Sequence, residues 1–366
     1  YQQSLTIAWK TGDRVKEAIV MNALGNSYRS LGNYSQAISC YQHTLAIGRE
    51  LGDWKIEQTA LISLGIVCDL IAEYDQALNY YQNYLIVARK HSNRLGEGHA
   101  LNGMGNVYQA QKKHYEAIEC YQSRLIIARE FGDREGESLA LGNLGNSYIS
   151  IENYSQGIDY CQQSLSMARQ IKYPYAEGNA LGNIAIAFLC LKDYSQAIKF
   201  LEQQLNITQL IGDREKQGNA LGNLGNVYYD LKNYDRAIEY YQQQLAIATE
   251  IGDRLGAVRA LFNLGLAYNS NENYEDGIEY YQQSLHIAQE IGLTLQEVTT
   301  LNNIAYVYFS LKDYHKAIKY YQRSISIAQN IGEIKEQKKA LCNIGNAYHF
   351  IGDFTQAIDW YQQYLD

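Results

Sequence analysis

Hydrophobic residues recur along this chain at two spacings. Within short stretches they fall three, four and seven residues apart, and the same stretches return every 40 residues. Nine copies occur without insertion or deletion: Leu24-Gly25, Leu64-Gly65, Met104-Gly105, Leu144-Gly145, Ile184-Ala185, Leu224-Gly225, Leu264-Gly265, Ile304-Ala305 and Ile344-Gly345 occupy one slot. The short spacing predicts amphipathic helices. The long one predicts a single supersecondary unit stacked on copies of itself, not a domain built round a catalytic pocket.

Residues 214–253 show one unit. A first helix, A, carries Ala220, Leu221, Leu224, Gly225, Val227 and Tyr228, with Leu221, Leu224 and Tyr228 on one face. Lys232-Asn233 interrupts it, and a second helix, B, carries Tyr234, Ala237, Ile238, Tyr241, Leu245 and Ala248. Before helix A, Gly212 suits a left-handed helix end and Asp213 an N-cap. Asn233 is placed to cap helix B, and Asp193 with Gln196 and Asp353 with Gln356 have capping-box spacing. The lone proline, Pro174, falls at the first position of a helix A, where a missing N–H costs nothing. Glycine inside a helix costs about 1 kcal/mol relative to alanine. The Gly25 slot therefore needs a packing reason: close approach to the small Ala37 slot of helix B, with tyrosines filling the space around it.

The columns Leu224-Gly225, Tyr228, Ala237 and Tyr241 resemble the tetratricopeptide repeat. The period of 40, with Gly-Asp-Arg and Asn-Leu-Gly-Asn, is most similar to the extended-helix subgroup of the Pins/LGN adaptors and of long bacterial, notably cyanobacterial, arrays. Departures are single size changes: Cys68 and Phe188 for the first Tyr, His114 for the Tyr after the loop, Gly157 and Gly277 for the Ala. The resemblance implies an all-α fold, a right-handed α-solenoid superhelix of tandem helix-turn-helix repeats, with the A helices lining a concave inner face. The expected organisation is one solenoid over residues 1–366. Residues 1–13 complete a preceding repeat, and full repeats occupy 14–53, 54–93, 94–133, 134–173, 174–213, 214–253, 254–293 and 294–333, with 334–366 a truncated last one. Tyr1-Gln2-Gln3-Ser4-Leu5 matches the middle of a repeat at Tyr281-Gln282-Gln283-Ser284-Leu285, and the chain ends at Asp366 in the same element. A piece of a longer protein is expected.

Two helix A columns are asparagine where core positions would be apolar. One holds Asn143, Asn183, Asn223, Asn263, Asn303 and Asn343; the other, three residues on, holds Asn26, Asn106, Asn146, Asn226 and Asn346. Asn102 stands one slot before the first column. Asparagine competes for backbone hydrogen bonds and is a mediocre helix former. The resemblance implies that these amides face the groove, where donor and acceptor together could pair with the backbone of an extended peptide. The alternative is that they bond the neighbouring repeat. Where the ladder is interrupted, Ile62, Ile66, Ile186, Phe262, Leu266 and Tyr306 are candidate apolar anchors. The carboxylate clamp of chaperone-binding relatives needs lysines, and the slot of Asn22, Ile62, Asn102, Gly142, Gly182, Gly222, Phe262, Asn302 and Cys342 has none.

Net charge is −8, which disfavours nucleic acid and anionic membrane as partners. No apolar run reaches the roughly 20 residues of a bilayer span, and nothing resembles a signal peptide. The six cysteines (Cys40, Cys68, Cys120, Cys161, Cys190, Cys342) lack C-x-x-C spacing and read as small buried hydrophobes in a reducing, cytoplasmic setting. The seven histidines lack metal-site spacing, and Gly-Asn-Leu-Gly-Asn sits inside a helix, so it is no phosphate loop. No cofactor, metal or catalytic constellation is expected. The expected function is a scaffold binding a protein or peptide in the groove. The alternative is a sensor or autoinhibitory region acting on flanking domains of a STAND NTPase, CHAT protease or kinase type.

Overall fold

In the computed structural model, which describes residues 2–365, every regular element is an α-helix. Tyr1 and Asp366, the ends of the chain noted above, lie outside the described residues. The chain divides into two units, up to Leu191 and from Lys192. The first unit contains α1 (Gln2–Thr11), α2 (Arg14–Ser30), α3 (Tyr34–Leu51), α4 (Trp54–Leu70), α5 (Tyr74–Lys90), α6 (Arg94–Ala110), α7 (His114–Phe131), α8 (Arg134–Ser150), α9 (Tyr154–Gln170) and α10 (Pro174–Cys190). The second contains α11 (Tyr194–Ile211), α12 (Arg214–Asp230), α13 (Tyr234–Ile251), α14 (Arg254–Ser270), α15 (Tyr274–Glu290), α16 (Thr294–Ser310), α17 (Tyr314–Ile331), α18 (Ile334–Ile351) and α19 (Phe354–Leu365). Even-numbered helices are the A helices and odd-numbered ones the B helices.

The helix ends follow the turn chemistry. Asp13, Asp53, Asp133, Asp213 and Asp253 each accept a hydrogen bond from the first turn of the helix they precede, a cap worth about 1 kcal/mol. Gly52, Gly132, Gly212, Gly252 and Gly332 close B helices in the left-handed conformation. Pro174 opens α10.

Within each unit, a helix packs on its sequence neighbours, and most A helices also touch the A helix one repeat on. The core is built on one contact. Tyr41, Tyr241, Tyr281 and Tyr321 are among the largest fully buried side chains. Each such ring lies over the glycine slot of its own helix A. A Cβ built on Gly25 would stand 2.5 Å from the Tyr41 ring, on Gly105 2.6 Å from Tyr121, and on Gly345 2.5 Å from Tyr361. The small slot of helix B meets the same place: a Cβ on Gly157 would be 3.0 Å from the Gly145 carbonyl oxygen. Ala305 occupies the glycine slot opposite Tyr321, whose ring is buried all the same. A second aromatic layer stacks A on B, with Tyr148 on Tyr160, Tyr228 on Tyr240, Tyr268 on Tyr280 and Tyr308 on Tyr320 at ring separations of 5.4, 5.4, 5.2 and 5.5 Å.

The ring-on-glycine contact makes a sharp contrast available inside unit 2. A Cβ on Gly265 would stand 2.6 Å from the Tyr281 ring, whereas one on Gly218 meets only Ile247 at 3.5 Å. Gly265→Ala should lose about 1–3 kcal/mol in urea unfolding through overpacking. Gly218→Ala should hold or gain up to about 1 kcal/mol from helix propensity. Equal effects would refute the steric account.

Candidate ligand-binding face

The second asparagine column is tied to the tyrosines. The hydroxyls of Tyr41, Tyr121, Tyr241 and Tyr361 donate to Oδ1 of Asn26, Asn106, Asn226 and Asn346, each at 2.8 Å. The amide inside helix A thus satisfies a hydroxyl that the core would otherwise strand, and burial pushes the phenol pKa up in each case. Asn146 lacks this donor, because Cys161 stands in the tyrosine slot. Where Leu266 replaces the asparagine, the Tyr281 hydroxyl is buried without a partner among the described residues.

The first column mostly bonds within the protein as well. Asn143 donates to Oδ1 of Asn102 at 3.2 Å and Asn183 to the Gly142 carbonyl at 3.3 Å, each tying one A helix to the previous one. Asn263 reaches Oδ1 of Asn226 at 3.4 Å, and Asn303 donates to its own-helix Thr299 carbonyl at 2.8 Å. Asn343 lies beside the Tyr321 hydroxyl. Asn223 is half-buried and bonds no described residue. Some of the amides therefore bridge consecutive A helices and others tie helix A to helix B of its own repeat, and what they offer a ligand is their remaining donors and acceptors.

The apolar candidates divide. Phe262 and Leu266 pack on the Tyr281 core, the Phe262 ring 5.5 Å from that of Tyr281. Ile186 and Tyr306 are exposed. Ile62 and Ile66 rest on the first core cluster and also line a cleft.

That cleft, of about 410 Å3, opens between α6 and α8. Ile62, Ile66 and Tyr81 form its apolar end, Asn102, Gly103 and Asn106 line it from α6, and Glu135, Gly136 and Leu139 from α8. Arg124 of α7 is part of its wall, with His99 and Asp133. Among the described residues, Arg124 is the one buried cation, 4% exposed. Its Nη2 donates to Oδ2 of Asp133, whose Oδ1 accepts the Gly136 N–H at 2.9 Å. Burial opposes ionisation of Asp133, but the Gly136 N–H and the guanidinium hold its carboxyl below the usual range. Partial desolvation and the Arg124 charge hold the His99 imidazole below its ordinary pKa, so it is neutral at pH 7. A smaller cleft, of about 210 Å3, lies between α8 and α10 and is lined by Asn143, Asn146, Asn179, Asn183, Ser138, Ser164 and Leu139. Leu139 borders both.

Unit 1 thus gathers Ile62, Ile66, Asn102 and Asn106 in one cleft and Asn143, Asn146 and Asn183 in the next. Asn26 and Ile186 line neither, nor do Asn223, Asn226, Asn263, Asn303, Asn343 and Asn346 of unit 2. Arg124, Asp133, Leu139 and Asn179 were not among the sequence candidates. Arg124 had a signal: its slot holds Thr44, Tyr84, Ser164, Gln204, Gln244, Ser284 and Ser324 elsewhere, and no other cation. The cysteine expectation needs correction. Cys40, Cys68, Cys120 and Cys161 are buried, and burial pushes the Cys161 thiol up to about 12, but Cys190 is exposed at the end of α10 and Cys342 is half-buried.

The tetratricopeptide-repeat model matches residues 16–90, 97–170, 137–210, 216–290 and 296–366. The chain belongs to the tetratricopeptide-repeat family. No curated protein matches its sequence. Among solved structures, it is similar to a STAND (signal transduction ATPase with numerous domains) protein with a tetratricopeptide-repeat sensor from Pyrococcus horikoshii, at 17% identity and TM-score 0.72 over 90% of this chain and 51% of that one. This tetratricopeptide-repeat chain therefore spans about half the length of that protein. It is also similar to the apo quorum sensor NprR from B. thuringiensis (14% identity, TM-score 0.63, 98% and 99% of the two chains). A Rap protein complexed with competence and sporulation factor matches at 16% identity and TM-score 0.58, over 96% and 97%. These likenesses concern the fold. Among the described residues, no helix is long and apolar enough to cross a membrane, and no group of three His, Cys, Asp or Glu is placed to hold a metal ion.

The tyrosine–asparagine pairing is measurable as a coupling energy. Asn226→Ala strands the Tyr241 hydroxyl and should cost about 1–3 kcal/mol of stability. Added to Tyr241→Phe, it should cost markedly less, giving a coupling of about 1 kcal/mol in urea unfolding. Additive effects would show that the asparagine is not held by the tyrosine.

Proposed function

We propose that this chain is a non-catalytic cytoplasmic scaffold that binds an extended peptide across its A helices, and that the two clefts beside α8 are the principal contact. The observation carrying this reading is their adjacency: two clefts one repeat apart, sharing Leu139, one ending in Ile62 and Ile66 and the other lined by Asn143, Asn146, Asn179 and Asn183. Packed helices stand about 8–10 Å apart, so one repeat step spans about three residues of extended chain. A peptide crossing α8 would place a side chain in the first cleft and main-chain groups against amides in the second. The complex of the Rap protein with its factor supports the reading for a fold of this shape. The unbroken 40-residue period, with Gly-Asp-Arg and Asn-Leu-Gly-Asn, supports membership of the extended-helix subgroup.

A second reading, a sensor region acting on attached domains, is favoured by the likeness to the STAND protein, whose repeats are named as its sensor and whose chain is about twice the matched length. The two are compatible, because a sensor also binds something.

Selection of a displayed random-peptide library on the wild-type chain tests the first reading. Enriched peptides should lose at least about tenfold in affinity for Asn143→Ala/Asn183→Ala at unchanged helicity. Undiminished binding, or no enrichment, would contradict it.

A further inference from the structure

The cleft between α6 and α8 contains a buried group that the protein leaves incompletely satisfied. Arg124 rises from α7 between the two A helices, packed against Gly98 of α6 and Gly136 of α8; a Cβ on Gly98 would stand 2.8 Å from Nη1. Thr44, Ser164, Ser284 and Ser324 fill the same slot elsewhere and donate to a carbonyl of the preceding A helix, at Ala18, Ser138, Val258 and Val298. The guanidinium reaches further and bonds Asp133, while its buried Nη1 has no hydrogen-bond partner among the described residues. α2 and α4, α4 and α6, and α8 and α10 approach closely along their backbones, whereas α6 and α8 do so less. Further along, the same pair is closed by Asn143 on Asn102 and by Gln109 with Ser147 and Ser150. The opening is confined to the Arg124 end.

The charges facing this opening decide what fits. Arg124 and Asp133 cancel, and His99 is neutral. Glu135, exposed in the first turn of α8, forms no ion pair with another described residue. The cleft therefore carries a net negative charge beside an apolar end made by Ile62, Ile66 and Tyr81, with Leu139 on its α8 wall. An anionic ligand would meet Asp133 and Glu135, and a purely apolar one would leave the guanidinium unserved.

We infer that the occupant of this cleft is an apolar residue adjoining a lysine or arginine in an extended peptide: the apolar side chain lies on Ile62, Ile66 and Leu139, a main-chain carbonyl accepts from the Arg124 guanidinium, and the cation pairs with Glu135. This rests on the peptide-binding reading above and specifies its ligand class.

The test takes peptides selected on the wild-type chain and measures their binding to three variants by fluorescence anisotropy. Enriched sequences should share an apolar–basic pair. Glu135→Lys, an exposed change that leaves the fold intact, should weaken them at least about tenfold, and replacing their basic residue by glutamine should abolish that difference. Arg124→Met, checked for equal helicity, should weaken them similarly. Peptides that bind and respond to Asn143→Ala/Asn183→Ala but not to Glu135→Lys or Arg124→Met would overturn this inference while leaving peptide binding standing. Enrichment of acidic peptides would overturn it equally. Indifference to all three variants would overturn both.

Discussion

A tyrosine ring laid across a helical glycine is the contact from which the rest of this structure follows. A glycine gives most of these rings their room, although Ala305 stands opposite Tyr321, so helix A accepts a residue it would otherwise disfavour. The ring also carries its hydroxyl into the interior, where an unpaired oxygen is costly. Asn26, Asn106, Asn226 and Asn346 supply the acceptor. One interaction thus accounts for three columns that sequence periodicity presents as separate.

Regularity then makes exceptions informative. Leu266 removes the acceptor and leaves Tyr281 unpaired among the described residues, with Phe262 packed against the ring. Cys161 removes the ring, leaving Asn146 without that donor and lining the smaller cleft. Arg124 replaces a hydroxyl or amide, and a cleft opens between α6 and α8. The Arg124 and Cys161 departures each coincide with a cleft beside α8, whereas the Leu266 departure is packed within the core.

The fold was legible because it is a matter of period. Gly212-Asp213, Pro174 and the Leu-Gly columns mark helix ends and faces that the structure reproduces. The candidate site was legible only in part. Ile62, Ile66, Asn102, Asn106, Asn143, Asn146 and Asn183 do line clefts, yet reading the asparagines as ligand groups missed their partners, since Tyr41 and Asn26 are 15 residues apart on different helices. Arg124 was missed for a related reason. Its column marks it as the odd residue, but the column does not report that Gly98 and Gly136 make room for a guanidinium between helices. Contacts between helices depend on which slots are small in both partners, and periodicity within one helix does not report that.

The most direct measurement is a crystal structure of the chain with a selected peptide bound. The account predicts an extended peptide crossing α8, with an apolar side chain over Ile62 and Ile66 and main-chain hydrogen bonds to Arg124 and to amides of the Asn143 and Asn183 cleft. A peptide seated on the odd-numbered helices, with both clefts beside α8 empty, would contradict it.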